Sequence, residues 1–128
     1  MAVSCGNDII KVSRVKESIE RIGETFIKRV YTDEEINYCE SRRMCKYQSY
    51  AVRFAAKEAV YKALSPGEEG FTSWKDVEVK RLENGKPFVV LTGALAEFAA
   101  SKGITNENIE ISLSHDDDYA IATAVIEY

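Results

Sequence analysis

Histidine, tryptophan and proline are almost missing from this chain of 128 residues, which has one, one and two of them respectively. With His115 as its single imidazole, a serine or cysteine triad has only one candidate base, and nothing around the serines or cysteines signals a nucleophile. The three cysteines, Cys5, Cys39 and Cys45, are odd in number and match no zinc spacing. They argue against structural zinc and for reduced thiols. Neither a Walker-type loop nor a G-x-G-x-x-G is present. There is no basic leader and no long apolar run, so the expectation is a cytoplasmic protein, neither exported nor membrane-inserted. An excess of positive charge is lacking too. The net charge of −4 disfavours general nucleic-acid binding, which needs a broad basic surface.

What remains is ordinary in bulk and uneven in detail. With 45% hydrophobic and 30% charged residues, the composition is that of a folded soluble protein. The length, residues 1–128, fits one domain able to bury a core without disulfides. Residues 1–64 carry twelve Lys/Arg against nine Asp/Glu, whereas residues 65–128 carry five against twelve. A basic first half can recruit an acidic partner locally, although an imbalance on solvated helices looks the same on charge alone.

Residues 3–12 read as a strand with Gly6 inside it, followed by a helix capped at Ser13 and closed by Gly23. Phe26, Ile27 and Val30 suggest a further short helix, and Thr32 to Glu35 form a capping box that starts another at Asp33. A long helix runs from about Lys46 to Leu64 and stops before Pro66-Gly67. The second half changes to antiparallel signals. Two short β-runs flank Asn84-Gly85, a short helix spans about Gly93 to Lys102, and strands at 109–115 and 119–127 close the chain. Helices first and hairpins second give an α+β class, with helices packed on an antiparallel sheet.

Three places carry possible chemistry. In Arg53-Phe54-Ala55-Ala56-Lys57-Glu58-Ala59-Val60-Tyr61-Lys62-Ala63-Leu64, Glu58 and Lys62 stand four apart on one helix face among small alanines. This is either an ordinary helical ion pair or a magnesium–phosphate site, the carboxylate for the metal and the ammonium for the phosphate. Asp8 is unusual in a strand, with Gly6 permitting close approach of a backbone or ligand. It reads as a cap for a neighbouring element or as a second metal carboxylate beside Glu58. His115 ends a clean alternation, Ile109 to His115, that puts it on the buried face as a core residue or a site residue. Asp116 to Asp118 lacks the glycine and distal glutamate of a calcium loop and reads as a solvated turn. Tyr31, Tyr38, Tyr47 and Tyr50 read as core or interface residues.

Gly6-x-Asp8-Ile9, the helix motif from Arg53 to Leu64, Asn84-Gly85-Lys86-Pro87 and Ser112-x-Ser114-His115, in this order, resemble the holo-[acyl-carrier-protein] synthases. These are the small bacterial type of 4′-phosphopantetheinyl transferase. The likeness spans about Val3 to Glu127. It implies transfer of 4′-phosphopantetheine from coenzyme A to a serine of apo acyl carrier protein, with magnesium and release of 3′,5′-ADP, in support of fatty acid biosynthesis. By the same resemblance, Asp8 and Glu58 hold the metal, Lys62 contacts the phosphates, and Glu58 is the base for the serine, directly or through a metal-bound water. Arg53 lies by the 3′-phosphate and His115 lines that pocket. Lys86 and Pro87 border the adenine from a neighbouring subunit, since this type is usually a homotrimer with sites between protomers. Arg14 and Arg21 match the positions that meet the acidic carrier protein.

Two departures from the family pattern stand out. Position 7 is Asn rather than an apolar residue, and the glycine-rich turn after the long helix is Ser65-Pro66-Gly67-Glu68-Glu69-Gly70-Phe71, with Glu68 and Glu69 near the expected phosphates. The altered turn leaves room for a carrier-binding module without catalysis, and the Asp8/Glu58 pair for a magnesium-dependent nucleotide pyrophosphatase.

Overall fold

Alternate residues of strand β1 (Val3–Lys11) face inward: Ser4, Gly6, Asp8 and Ile10 are sheltered, and the residues between them are exposed. That face lies against helix α4 (Lys46–Leu64). The approach is close because Gly6 has no side chain. A β-carbon there would fall 2.8 Å from both Ala63 N and Lys62 Cβ and would overlap the Ala59 carbonyl. The Ser4 hydroxyl then donates to Ala63 O at 2.9 Å. Strand β5 (Tyr119–Glu127) presents Ala120, Ala122 and Ala124 to the same helix, all fully buried against the α4 alanines. Small residues on both surfaces let helix and sheet backbones approach closely.

The computed structural model describes residues 1–67, 70–71 and 73–128. An antiparallel three-stranded sheet in the order β1-β5-β4, with β4 at Ile109–His115, carries α4 on one face. A separate hairpin, β2 (Val77–Arg81) and β3 (Pro87–Leu91), extends the structure beside β4 and α4. Its tip is a three-residue loop with Gly85 at φ 90°, where glycine is favoured, and Leu82 N–H donates to Lys86 O at 2.9 Å. Helices α1 (Val12–Ile22), α2 (Glu24–Val30) and α3 (Asp33–Ser41) pack around the N-terminal half of α4, and α5 (Gly93–Ser101) covers the other end. The class is α+β, as the sequence predicts.

Two local expectations differ. Helix α1 starts at Val12 with Lys11 at its N-cap position, rather than being capped by Ser13. The strand runs directly into the helix, and Val12 N–H, one of the first-turn donors, is satisfied by Asp118 O across the sheet at 2.9 Å. His115, predicted on the buried face, is exposed. Ile109 and Ile111 on its face are buried, but His115 looks into an open concavity beside Val52 and Arg53 of α4. The capping box of α3 forms as predicted: Thr32 N–H donates to Glu35 Oε1 at 2.8 Å and Glu35 N–H to Thr32 Oγ1 at 3.3 Å.

Candidate active site

Helix α4 carries charged residues on three sides, and each meets a different environment. Lys57 and Glu35 form a sealed pair, 0% and 1% exposed. The Lys57 ammonium donates to Glu35 Oε1 at 2.8 Å, Trp74 O at 3.2 Å and Val77 O at 2.5 Å, which uses all three protons. The other Glu35 oxygen accepts from Val79 N–H at 2.8 Å. Burial pulls the Lys57 pKa down, and the Glu35 carboxylate opposes that pull. This pair pins α3 and the hairpin to α4 and leaves nothing over for a ligand. Glu35 was legible from sequence only as a cap, and Lys57 only as part of a motif.

On the adjacent side, Glu58 and Asp8 line one cavity of about 340 Å³ with Arg14 on its wall. Glu58 makes no hydrogen bond or ion pair among the described residues. Partial burial raises its pKa, the Asp8 charge raises it further, and Lys62 works the other way. The helical ion pair between Glu58 and Lys62 does not form. Lys62 instead reaches across to β1, donating to Asn7 O at 3.0 Å and Asp8 Oδ1 at 3.2 Å. Nor does Asp8 cap an element; its carboxylate is held by that ammonium. Asn7 points to the outer face of the sheet, so its departure from an apolar residue leaves the packing around Asp8 undisturbed.

Two carboxylates on one cavity, one of them disfavoured as an anion by its neighbour, form a place where a cation is welcome. Among the described residues no group of three or more His, Cys, Asp and Glu could hold a metal ion by itself. The donor set therefore suits magnesium, which takes one or two carboxylates and completes its shell with phosphates and water.

A second concavity, of about 530 Å³, lies on another side of α4 and shares no lining residue with the first. Arg53, Lys86, Pro87 and His115, all named from sequence, line it together, joined by Arg42 and Arg81. It is lined by no carboxylate among the described residues, although the Lys86 ammonium reaches Glu110 at 3.3 Å outside it. Arg53 is 5% exposed; its NH1 donates to Ser49 Oγ at 2.9 Å, while its buried Nε has no partner. Arg42 and Arg81 were missed, and the available signal was the crowding of Lys80, Arg81 and Lys86 around one hairpin tip. Arg14 and Arg21 are both exposed on α1, and Arg14 alone reaches the carboxylate cavity. The expectation about Glu68 and Glu69 lies outside the described residues.

Comparison with known proteins places the chain in a family. The family model of the 4′-phosphopantetheinyl transferase superfamily matches residues 4–124. The chain is 48% identical over 126 residues to a protein of Ruminiclostridium cellulolyticum named holo-[acyl-carrier-protein] synthase, covering 98% of this chain and 92% of that one. It is 39% identical over 127 residues to the protein of the same name from Koribacter versatilis, covering 99% of each. Among solved structures it is similar to holo-[acyl-carrier-protein] synthase from Neisseria meningitidis, with a TM-score of 0.85 at 29% identity and 98% of both chains covered. The Helicobacter pylori synthase in complex with coenzyme A matches with a TM-score of 0.81 at 29% identity, over 96% of this chain and 99% of that one.

Proposed function

Since the chain belongs to the 4′-phosphopantetheinyl transferase superfamily, we propose that it transfers 4′-phosphopantetheine from coenzyme A to a serine of apo acyl carrier protein. The product would serve fatty acid biosynthesis in the cytoplasm; no helix among the described residues is long and apolar enough to cross a membrane. The observation that carries this reading is the joint placement of Asp8 and Glu58 on one cavity, with Lys62 paired to Asp8 and Arg14 at the wall.

In the reaction, the serine oxygen attacks the phosphorus that bears pantetheine. The bond from that phosphorus to the bridging oxygen breaks, 3′,5′-ADP departs, and the serine proton passes to Glu58. A raised pKa suits Glu58 to that role, because a base is most effective when its pKa approaches the working pH. Asp8 and Glu58 are the residues that would hold magnesium. When bound, magnesium would neutralise charge developing on the pyrophosphate. Lys62, half exposed and tethered only to β1, is free to exchange Asp8 for a phosphate oxygen and support the departing nucleotide. Arg14 and Arg21 would attract the acidic carrier and orient its serine toward Glu58.

The cationic groove would receive the nucleotide end of coenzyme A, with Arg53 and His115 by the 3′-phosphate and Lys86 and Pro87 by the adenine. The assembly in this reading is a homotrimer with sites between protomers. Two features support it. The face of the sheet turned away from α4 exposes Val3, Ile9, Ile121 and Val125, an apolar patch unusual for a free surface. The carboxylate cavity and the groove also adjoin opposite edges of that sheet, β1 and β4, so a second copy is needed to bring one to the other. The neighbouring protomer would then bring Arg53 and His115 along with Lys86 and Pro87.

The test is the intact mass of an apo acyl carrier protein after incubation with this protein, coenzyme A and magnesium. Addition of one phosphopantetheine, abolished by a chelator, is the expected result. Loss of coenzyme A with no mass change would replace transfer by hydrolysis of the pyrophosphate, and carrier binding with neither would leave a binding module.

A further inference from the structure

One tyrosine stands among the arginines of the groove. The Tyr38 ring on α3 has the Arg53 guanidinium 4.3 Å from its centroid, Arg81 at 4.8 Å and Arg42 at 5.7 Å. These arginines come from three separate places: α4, the end of β2 and the turn after α3. The Tyr38 hydroxyl is also hydrogen-bonded to Arg81 NH1. Three like charges gathered around one point repel one another: burial pulls the Arg53 pKa down, Cys39 and Glu35 oppose that pull, and the nearness of Arg42 adds a smaller push downward. The electron-rich ring face offsets that repulsion without neutralising the charges, which a carboxylate in the same position would do. What results is a set of guanidiniums held ready for a dianion. Arg53 is almost entirely buried, with its Nε unpartnered. A buried donor left open has a standing free-energy cost that a bound anion relieves.

We propose that Tyr38 is a positioning residue, the platform that holds Arg42, Arg53 and Arg81 as a preformed receptor for a terminal phosphate monoester, and that the preference for nucleotides bearing that phosphate depends on it. This rests on the groove's being the nucleotide site, as in the reading above. The side chains themselves set the ligand class. Guanidiniums match the geometry of phosphate oxygens, and a monoester dianion is bound more strongly than a diester carrying one charge. The hydroxyl contributes through Arg81 alone, whereas the ring acts on all three arginines.

The experiment is calorimetric binding of coenzyme A and of 3′-dephospho-coenzyme A, which has no phosphate monoester, to the full chain, without carrier protein, for the natural protein and for Tyr38→Leu, Tyr38→Phe and Arg81→Gln. The natural protein should prefer coenzyme A. Tyr38→Leu should reduce that preference about tenfold, Tyr38→Phe should retain most of it, and Arg81→Gln should fall between them. A purely structural role for Tyr38 would weaken both ligands in parallel and leave their ratio unchanged, which would overturn the proposal. If Tyr38→Leu does not fold, the ordering of Tyr38→Phe and Arg81→Gln carries the test, and a larger loss for Tyr38→Phe overturns it. A natural protein that discriminates between the two nucleotides but modifies no carrier would keep this proposal and remove the transferase reading. One that does not discriminate would remove this proposal.

Discussion

Lys57 and Glu58 are neighbours in sequence and opposites in circumstance. One step along a helix turns a side chain by about 100°, enough to send Lys57 into the core and Glu58 into an open cavity. Lys57 has three acceptors for three protons, whereas Glu58 has no partner among the described residues. The difference separates two uses of a charge. A buried charge with every bond made holds the fold together, while a half-buried charge with none, set against a second carboxylate, is held ready for something absent from the chain.

The comparison can be broken most forcefully at Lys57. Lys57→Met strands the Glu35 carboxylate in the core, and urea unfolding should show a loss of about 3–5 kcal/mol. The double variant Lys57→Met/Glu35→Leu should lose less than the single, because the unpaired charge is gone. Glu58→Gln should behave in the opposite sense. Transfer should fall by at least about 10²-fold, as for removal of a group acting on developing charge, while the protein becomes more stable. The sign follows from linkage. The Glu58 pKa is raised in the folded state, so ionised Glu58 opposes folding above that pKa, and the opposition fades as pH falls through it. The melting temperature of Glu58→Gln should therefore exceed that of the natural protein at neutral pH and converge with it in acid. Equal melting temperatures at neutral pH would remove the assigned strain.

Smaller effects sharpen the picture. Gly6→Ala pushes a methyl into the backbone of α4 and should cost about 1–3 kcal/mol, the usual range for overpacking. It should also reduce transfer, since it displaces Asp8 from Glu58. A Gly6→Ala variant as active as the natural protein would show that the β1–α4 spacing does not govern the site. The acid limb of kcat/KM should lie above the 4.5 of an ordinary glutamate and move toward acid as magnesium is raised, because a cation favours the charged form. The smallest effect belongs to the rim. Arg14→Glu should raise the KM for carrier protein about tenfold at low salt and leave kcat within about twofold, with the difference shrinking as salt is added. Stopped assays across a salt series would test it, and a fall in kcat alone would move Arg14 from docking to chemistry.

Much of the fold was legible because its signals are local. The capping box at Thr32–Glu35, the α4 boundaries and the Asn84-Gly85 hairpin each depend on bonds between residues a few positions apart. Ser13 failed as a cap for a reason the local pattern cannot hold: Val12 N–H finds Asp118 O across the sheet, so the helix starts before Ser13 and the serine lies inside its first turn. His115 failed similarly. Alternation assigns a face, but burial requires something filling that face, and His115 looks into the open groove beside Val52 and Arg53. Tyr38 looked like any core tyrosine until arginines from three separate places came to surround it.

Periodicity and capping chemistry were therefore enough for most of the helices and strands and for the α+β class, and they singled out Asp8, Glu58 and Lys62 as charges in unusual places, while Arg53 entered only through the family resemblance. Which charges face one another was decided only by tertiary structure. Lys62 chose Asp8 on a distant strand over Glu58 on its own helix, and Arg53 left the carboxylates for a groove on another side of α4. The reason is geometric. A missing side chain at Gly6 sets the distance between β1 and α4, and charges respond to distance in space, with no regard for separation along the chain.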